Sequence, residues 1–299
     1  MSRLPAPLQG LAFMVAATTL FAGMAACNKV LLARGTPLPL LNLSRAAFTM
    51  LLLAPWLLGR RAPSLATRRL GLHLGRGLAG VGAMAFSLSA LSLIPLAEVI
   101  ALGQSRPLWL LVIAVAVLGE RVGWRRPLAA AIGFLGVMVI LFGESGVAAP
   151  FAVSRGAGFA LAAAFCGACV SAFIRVMARA GEPPVRVVFW YGITGFVAWL
   201  PPSLWFWRTP GLVEWGLMVG AAGLAVLGDL CASHAARRAE ASLLAPVEFA
   251  QVPIGALFGA VLFGERPGWP LAAGVALMAV SVAYIARREA MLRARQGTP

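Results

Sequence analysis

The chain has 299 residues, of which 61% are hydrophobic and only 12% are charged, and its formal net charge is +15. Ordinary soluble domains contain about 45–50% apolar and about 25% charged residues, which excludes a soluble protein with a conventional core. A basic chain can indicate nucleic-acid binding, but that class requires the charge to form one patch or stripe. The lengths of the apolar runs and the placement of the arginines therefore decide the class.

Ten uncharged or nearly uncharged runs follow one another along the chain. A bilayer-spanning helix needs about 20 mainly apolar residues, and each run has roughly that length. The sequence therefore predicts an all-α integral membrane protein with ten transmembrane helices. The predicted segments 1 to 10 cover residues 8–27, 38–58, 77–94, 97–118, 127–142, 156–174, 187–207, 215–236, 241–263 and 268–286.

The basic residues alternate with the predicted segments. If the N-terminus is cytoplasmic, 18 of the 25 Lys and Arg residues lie on the cytoplasmic side, five lie outside, and Arg45 and Arg106 lie within segments. An excess of Lys and Arg in cytoplasmic loops sets the orientation of membrane proteins. We therefore expect a multi-pass protein of the cell inner membrane with both termini in the cytoplasm and the lipid bilayer, rather than nucleic acid, as its partner.

One sequence recurs at an offset of 145 residues. Gly-Glu-Arg-Val-Gly-Trp at 119–124 reappears as Gly-Glu-Arg-Pro-Gly-Trp at 264–269, each time between two apolar segments. The sequence therefore predicts two five-helix repeats, residues 1–145 and residues 146–299. Because five is odd, the second repeat enters the membrane from the opposite side. Inverted repeats are typical of secondary transporters, whose substrate site lies near the midplane between the repeats.

The same features resemble a known family. The chain is similar throughout to the EamA-type drug/metabolite transporter superfamily, on the basis of Ala90-Leu91, Ile94 to Glu98, Pro107-Leu108, Leu118 to Arg121, Gly133 to Gly136, Lys29 and Arg45. The resemblance implies a ten-helix transporter. It also implies a substrate among amino acids, related metabolites and cofactors such as riboflavin or S-adenosylmethionine, or more distantly nucleotide sugars.

Ionisable side chains within membrane segments are candidates for function because their insertion is costly. Arg106 in segment 4 and Glu248 in segment 9 both lie near the predicted midplane. Arg106 offers fixed donors to a carboxylate or phosphate, and Gln104, Ser105 and Gln251 add neutral polar groups. We predict a substrate site here, with a buried Arg106–Glu248 ion pair that only joins the halves as the alternative.

A second group of candidates lies toward the ends of segments. Arg45 and Glu98 are predicted to form a gate pair or part of the outer vestibule. Trp190, at the position equivalent to Arg45, and Tyr191 beside it are candidates for receiving an aromatic or amphipathic substrate. An interfacial aromatic belt is the alternative for these two rings.

Asp229 and His234 in segment 8 are the candidates for a proton relay, because a membrane carboxylate near a histidine can titrate in a useful range. His234 at the interface beside Arg237 is the alternative. His73 is interpreted as a loop residue.

The predicted function is secondary transport of a small polar or zwitterionic metabolite, with an amino-acid-type exporter preferred. The alternative is uptake of S-adenosylmethionine or of an aromatic cofactor such as riboflavin, which Trp109, Trp190 and Tyr191 would then stack. A membrane enzyme or lipid-handling protein is the third possibility. The sequence contains no Walker motif, metal-ligand set or nucleophile with its base, so no catalytic residue, metal or cofactor is predicted. The oligomeric state is left open, and a monomer is compatible with the sequence.

Overall fold

A computed structural model describes residues 6–58, 65–116, 125–144, 154–239, 244 and 247–295. The described residues form helices and contain no β-strand. We number the eleven helices in chain order as α1 (Ala6–Ala33), α2 (Leu38–Leu58), α3 (Leu70–Leu91), α4 (Leu96–Gly103), α5 (Arg106–Ala116), α6 (Arg125–Glu144), α7 (Arg155–Arg179), α8 (Pro184–Trp205), α9 (Leu212–Ala236), α10 (Gln251–Phe263) and α11 (Trp269–Arg295).

Among the described residues, six helical stretches are long and apolar enough to cross a membrane: Leu8–Ala33, Leu70–Leu91, Leu96–Ala116, Arg155–Met177, Arg186–Trp205 and Leu212–Ala235. Helices suit this environment because every interior backbone N–H and C=O group is hydrogen-bonded within its own segment. Large apolar side chains also remain exposed on the outer surface, including Leu212, Val261 and Val280. The chain is therefore a multi-pass membrane protein.

The helices follow the predicted segments with local differences. α3 begins at Leu70 instead of residue 77, because Arg76, which set the predicted boundary, lies with its guanidinium carbon 4.0 Å from the centre of the Tyr191 ring. His73, predicted to be a loop residue, therefore lies within α3. The predicted start of segment 9 at residue 241 and the first Gly-Glu-Arg sequence at 119–121 lie outside the described residues.

Predicted segment 4 is interrupted in its middle. α4 ends at Gly103 and α5 begins at Arg106, because Pro107 lacks an N–H and its ring would collide with the carbonyl of residue 103 in a continuous helix. In the second half, residues 249–250 form a turn and α10 begins at Gln251, with Pro253 in its first turn. The two turns are 145 residues apart, as are the two Gly-Glu-Arg sequences.

The helices of the two halves pack in related pairs. α1 contacts α9 and α10, while α7, which stands at the equivalent position of the second half, contacts α3, α4 and α5. The pairs α2 with α8, α4 with α10 and α6 with α11 also join the halves. If each helix is replaced by its equivalent in the other half, each of these pairings becomes another observed pairing or stays the same pairing.

Small residues allow the closest of these approaches. A Cβ atom added to Gly136 in α6 would lie 2.6 Å from the carbonyl oxygen of Gly274 in α11. Without a hydrophobic driving force between helices in lipid, such close backbone contact is a main source of association. The α6–α11 pair is therefore held together by close backbone packing.

Candidate functional site

A cavity lies beside the two helix interruptions. It has a volume of about 270 Å³, close to the lower end of the ~300–1,000 Å³ range of small-molecule sites. Residues of α1, α3, α4, α5, α7 and α10 line this cavity, which we call the main cavity. Its lining residues are Phe21, Met24, Ala25, Ala83, Met84, Ser87, Leu91, Val99, Ile100, Gly103, Gln104, Arg106, Ala160, Ala163, Ala164, Gly167 and Gln251.

Three of the predicted site residues line this cavity together: Gln104, Arg106 and Gln251. The side-chain amide of Gln104 donates to the backbone oxygen of Glu248 at 3.1 Å and approaches Gln251 Oε1 at 3.5 Å. These bonds link the turn between α4 and α5 to the start of α10. Ser105 is fully buried and donates from Oγ to the Leu102 carbonyl at 2.6 Å, so its hydroxyl stabilises the turn.

Arg106 is an exposed residue on the cavity wall, and its charge acts on Glu248, which is partly buried. The path of the arginine side chain depends on Gly167 in α7. A Cβ atom at Gly167 would lie 3.0 Å from Arg106 Cδ, which is closer than ordinary contacts allow. The missing side chain of Gly167 therefore leaves the space that the Arg106 side chain occupies at the cavity wall.

Two smaller cavities adjoin the main cavity, with volumes of about 30 Å³ and 10 Å³. Asn42, Arg45 and Met84 line both of them, and Tyr191 lines the smaller one. The larger of the two shares Met24 and Met84 with the main cavity. The three spaces therefore lie next to one another, and we call them together the inner cavity region, with Arg106 on one part of its wall and Arg45 on another.

Three lining residues, Asn42, Met24 and Met84, were not predicted from the sequence. Asn42 and Arg45 are three residues apart on α2, a spacing that brings side chains to one helix face, so the signal for Asn42 was present. Met24 and Met84 had no such signal, because an apolar residue in an apolar helix is indistinguishable from one that faces lipid. The charge of Arg45 also acts on Asp229 in α9.

Other predicted site residues lie outside the lining of these cavities. Trp109 packs edge-on against Phe134 and Phe165, with ring centroids 4.9 and 5.6 Å away. Trp190 donates from Nε1 to the Leu65 carbonyl at 3.2 Å. Glu98 is buried in α4, with 8% of its surface exposed. These three side chains are placed by protein contacts in this structure.

The described contacts of Asp229 and His234, the proposed relay pair in α9, involve different partners. His234 is exposed, stacks on Phe13 with ring centroids 5.3 Å apart, and has its Nδ1 3.0 Å from Arg238. Asp229 is instead influenced by Arg45. His234 therefore belongs to a contact between α1 and the end of α9.

A polar cluster joins the start of α3 to the α7–α8 connection. His73 is fully buried, with Nε2 3.4 Å from a carboxylate oxygen of Glu182. Glu182 also accepts from Arg186 at 2.8 Å and Thr67 at 3.1 Å. Burial acts to raise the pKa of Glu182, but the Arg186 and Thr67 hydrogen bonds and the Arg186 charge outweigh it, so the pKa lies below its ordinary value.

Within the part of the chain that the structure describes, no group of three or more His, Cys, Asp or Glu residues could hold a metal ion. The inner cavity region instead offers guanidinium and amide groups among apolar walls. Such a surface can bind and orient a small polar molecule, and it contains an interrupted helix from each half.

Comparisons with known proteins agree with this arrangement. The EamA-like transporter family matches twice, over residues 8–142 and 154–287. A riboflavin transporter of Vibrio cholerae is 31% identical over 291 residues, covering 95% of this chain and 94% of that protein. A riboflavin transporter of Brucella anthropi is 24% identical over 270 residues, covering 85% of this chain and 90% of that protein.

Two further similarities extend the comparison. An S-adenosylmethionine uptake transporter of Rickettsia bellii is 26% identical over 225 residues, covering 75% of each chain. A crystal structure with 22% sequence identity matches with a TM-score of 0.59 over 95% of this chain and 97% of that one, which shows the shared fold. The double family match covers most of both halves, and this chain belongs to the EamA-like transporter family of the drug/metabolite transporter superfamily.

Proposed function

We propose that this protein takes up a flavin of the riboflavin type by alternating access. The observation that carries the proposal is the composition of the inner cavity region. Its polar wall contains Arg106, Gln104 and Gln251 beside apolar and sulfur-containing side chains, and none of its described lining residues is acidic. A flavin has a flat apolar ring system, carbonyl groups that accept from guanidinium and amide donors, and no positive charge.

The same composition favours a flavin over S-adenosylmethionine, although both substrates occur among the names of the relatives. S-adenosylmethionine carries a sulfonium cation and an ammonium group, which require an anionic or aromatic partner. Both charged side chains in the described lining are arginines, Arg45 and Arg106. Like charges in a confined apolar region repel, so this wall disfavours a cationic substrate.

Amino-acid export, the function preferred from the sequence, has less support. The relatives named above are uptake transporters of S-adenosylmethionine or transporters of riboflavin, which favours the alternative. An amino acid also needs an acceptor for its ammonium group. Glu248 and Asp229 lie outside the described lining and are each influenced by an arginine, so neither carboxylate is presented at the cavity wall.

The proposed mechanism uses two inverted five-helix repeats, residues 1–145 and 146–299, which together cross the inner membrane ten times with both termini in the cytoplasm. Three observations support it: the double family match, the helix pairings that are preserved when the halves are exchanged, and the asymmetric distribution of arginines. In such an architecture, exchange of conformation between two similar halves opens the central site to each side in turn.

We assign Arg106, Gln104 and Gln251 to substrate contact, with Arg45 and Tyr191 bordering the adjoining cavities. Glu248 serves as the charge that holds the Arg106 side of the site together, and Ser105 stabilises the turn that presents Gln104. Asp229 serves as the corresponding charge beside Arg45. Trp109, Trp190, Glu98 and His234 support helix packing around this site.

Uptake measurements test the proposal. Purified protein in liposomes is expected to accumulate radiolabelled riboflavin faster than protein-free liposomes, and unlabelled flavin is expected to compete where S-adenosylmethionine and amino acids do not. Expression is also expected to rescue a bacterial riboflavin auxotroph that lacks its own transporter. Absence of riboflavin uptake in both assays, or faster movement of an amino acid than of riboflavin, would contradict the proposal. Recovery of chemically unaltered riboflavin distinguishes transport from enzymatic conversion.

A further inference from the structure

The side-chain oxygen of Asn42 is a buried hydrogen-bond acceptor. The residue lies in α2 and is 3% exposed. Its Nδ2 donates to the Leu38 carbonyl at 3.3 Å, one helical turn earlier, which fixes the orientation of the amide. Oδ1 is then turned away from that carbonyl, and it has no hydrogen-bond partner among the described residues. Buried polar atoms are nearly always hydrogen-bonded, so an unused acceptor at a cavity wall points to a ligand.

The position of Asn42 connects it to the proposed site. Asn42 lines both small cavities of the inner cavity region together with Arg45. Met24 and Met84 border one of these cavities and also the main cavity, while Tyr191 borders the other. Met24 and Met84 therefore border both the main cavity and the space beside Asn42, and sulfur-containing side chains pack well against aromatic rings.

We infer that Asn42 and Arg45 form a subsite for the edge of a planar heterocycle on which an N–H group stands beside a carbonyl group. Asn42 Oδ1 accepts from the N–H, and the guanidinium of Arg45 donates to the carbonyl. This inference rests on the proposed flavin uptake and identifies which part of the flavin is read. The pyrimidinedione end of the isoalloxazine ring has this edge, with the N3–H between two carbonyl groups.

The subsite also indicates which part of the inner cavity region binds each part of the substrate. The flat ring occupies the apolar space bordered by Met24 and Met84, and the polyol chain extends toward Gln104 and Gln251. Amide side chains donate and accept, which suits hydroxyl groups. A site that hydrogen-bonds a substrate group discriminates strongly against an analogue that lacks the group, because its own buried polar atom is then left unpaired.

Flavin binding to the detergent-purified full-length protein tests the inference. Riboflavin is compared with 3-methylriboflavin, in which a methyl group replaces the N3 hydrogen, through quenching of flavin fluorescence. We expect the wild-type protein to bind 3-methylriboflavin about tenfold more weakly, because the buried acceptor is then left unpaired. Asn42→Leu, which removes the acceptor at similar volume, is expected to bind both flavins with similar affinity, so that the preference disappears.

Two variants provide the controls. Asn42→Asp keeps an acceptor at this position and is expected to retain the preference for riboflavin, which answers the question even if Asn42→Leu does not fold. Thr19→Val removes a hydroxyl from an exposed position of α1 and is expected to leave both affinities unchanged. Folding is checked by size-exclusion chromatography before each titration.

The outcomes separate the inference from the proposed function. Equal affinity of the wild-type protein for the two flavins overturns the subsite while leaving flavin uptake intact. A preference that persists in Asn42→Leu also overturns it. Failure of the wild-type protein to bind either flavin overturns the proposed function itself, and the flavin subsite with it.

Discussion

Lys29 in α1 and Glu265 between α10 and α11 form an ion pair that joins the two halves of the protein. Lys29 also donates from Nζ to the Ile94 carbonyl at 2.8 Å, and Glu265 accepts from the Leu96 N–H at 2.8 Å. Their side chains are 15% and 13% exposed. The pair therefore fixes α1, the connection between α3 and α4, and the second Gly-Glu-Arg sequence relative to one another.

Removal of the Glu265 acceptor is expected to destabilise this junction. Glu265→Leu leaves Lys29 without its counter-ion and the Leu96 N–H without its acceptor, at a cost of roughly 1–3 kcal/mol for the unpaired groups. Glu265→Gln keeps an oxygen for the N–H and is expected to lose less stability. The measurement is the apparent melting temperature of the purified variants, with Arg266→Gln at the exposed neighbouring position as the control.

Exchange of the two charges gives a sharper test of the same geometry. In a protein with both Lys29→Glu and Glu265→Lys, the ion pair can re-form, but a lysine at position 265 cannot accept from the Leu96 N–H. We therefore expect the double variant to remain less stable than the wild type. Full recovery of the melting temperature would mean that charge attraction alone holds the junction together.

The residue before Glu265 is expected to be sensitive for a backbone reason. Gly264 ends α10 with φ +66°, in the left-handed region, which costs other L-residues about 1–2 kcal/mol. Gly264→Ala is expected to lower the melting temperature of the purified protein. Gly220→Ala is the matched control, because a Cβ atom there meets no neighbour within 4 Å and alanine favours the helix. Equal melting temperatures for the two variants would contradict this expectation.

The helical class and the positions of most helices were predictable because membrane helices must satisfy two conditions that sequence displays directly: length and absence of charge. Position 70, where α3 begins, was not predictable. The charge of Arg76 indicates a loop unless its contact with Tyr191 is known, and that contact joins residues far apart in sequence. For the same reason His73 was predicted to lie in a loop, although its side chain is buried next to Glu182.

The candidate site was predictable where a residue is unusual for its surroundings. Arg106 and Arg45 stand out as charges in apolar segments, and both line the inner cavity region. Trp109, which the cofactor-uptake alternative assigned to stacking, packs against Phe134 and Phe165 in this structure. The sequence could not predict this contact, because an aromatic ring in an apolar helix gives no sign of which side it faces. Asn42 has an ordinary polar side chain, and its unused acceptor appears only once the neighbouring atoms are placed.

The Glu182 cluster predicts a pH dependence of stability. The pKa of Glu182 is lower in the folded protein than the ordinary value of about 4.3, so the contribution of its charge to stability is complete above that value. The contribution is lost as the pH falls through the lower, folded-state pKa. Glu182→Gln is therefore expected to be less stable than the wild type at pH 7, and the difference is expected to shrink as acid is added.

Melting temperatures measured over a series of pH values check this expectation. Arg68→Gln removes a charge from an exposed position near the same cluster and is expected to differ little from the wild type at any pH. A difference between Glu182→Gln and the wild type that stays constant down to the lowest pH at which the protein folds would show that the charge of Glu182 is not the source of its contribution.

Transport is expected to depend on Arg106 and on the space that Gly167 provides for it. Arg106→Gln removes the guanidinium and is expected to lower riboflavin uptake at least tenfold, or about 1.4 kcal/mol. Gly167→Val adds carbon atoms where Arg106 Cδ lies, so we expect it to displace the guanidinium and to lower uptake as well. Gly158→Val on the same helix is the matched control, because a Cβ atom there meets no neighbour within 4 Å. The measurement is the rate of riboflavin uptake per folded molecule in liposomes, compared between the Gly167 and Gly158 variants. If Gly158→Val and Gly167→Val reduce uptake equally, α7 responds to any added side chain and the specific role of Gly167 in placing Arg106 is refuted.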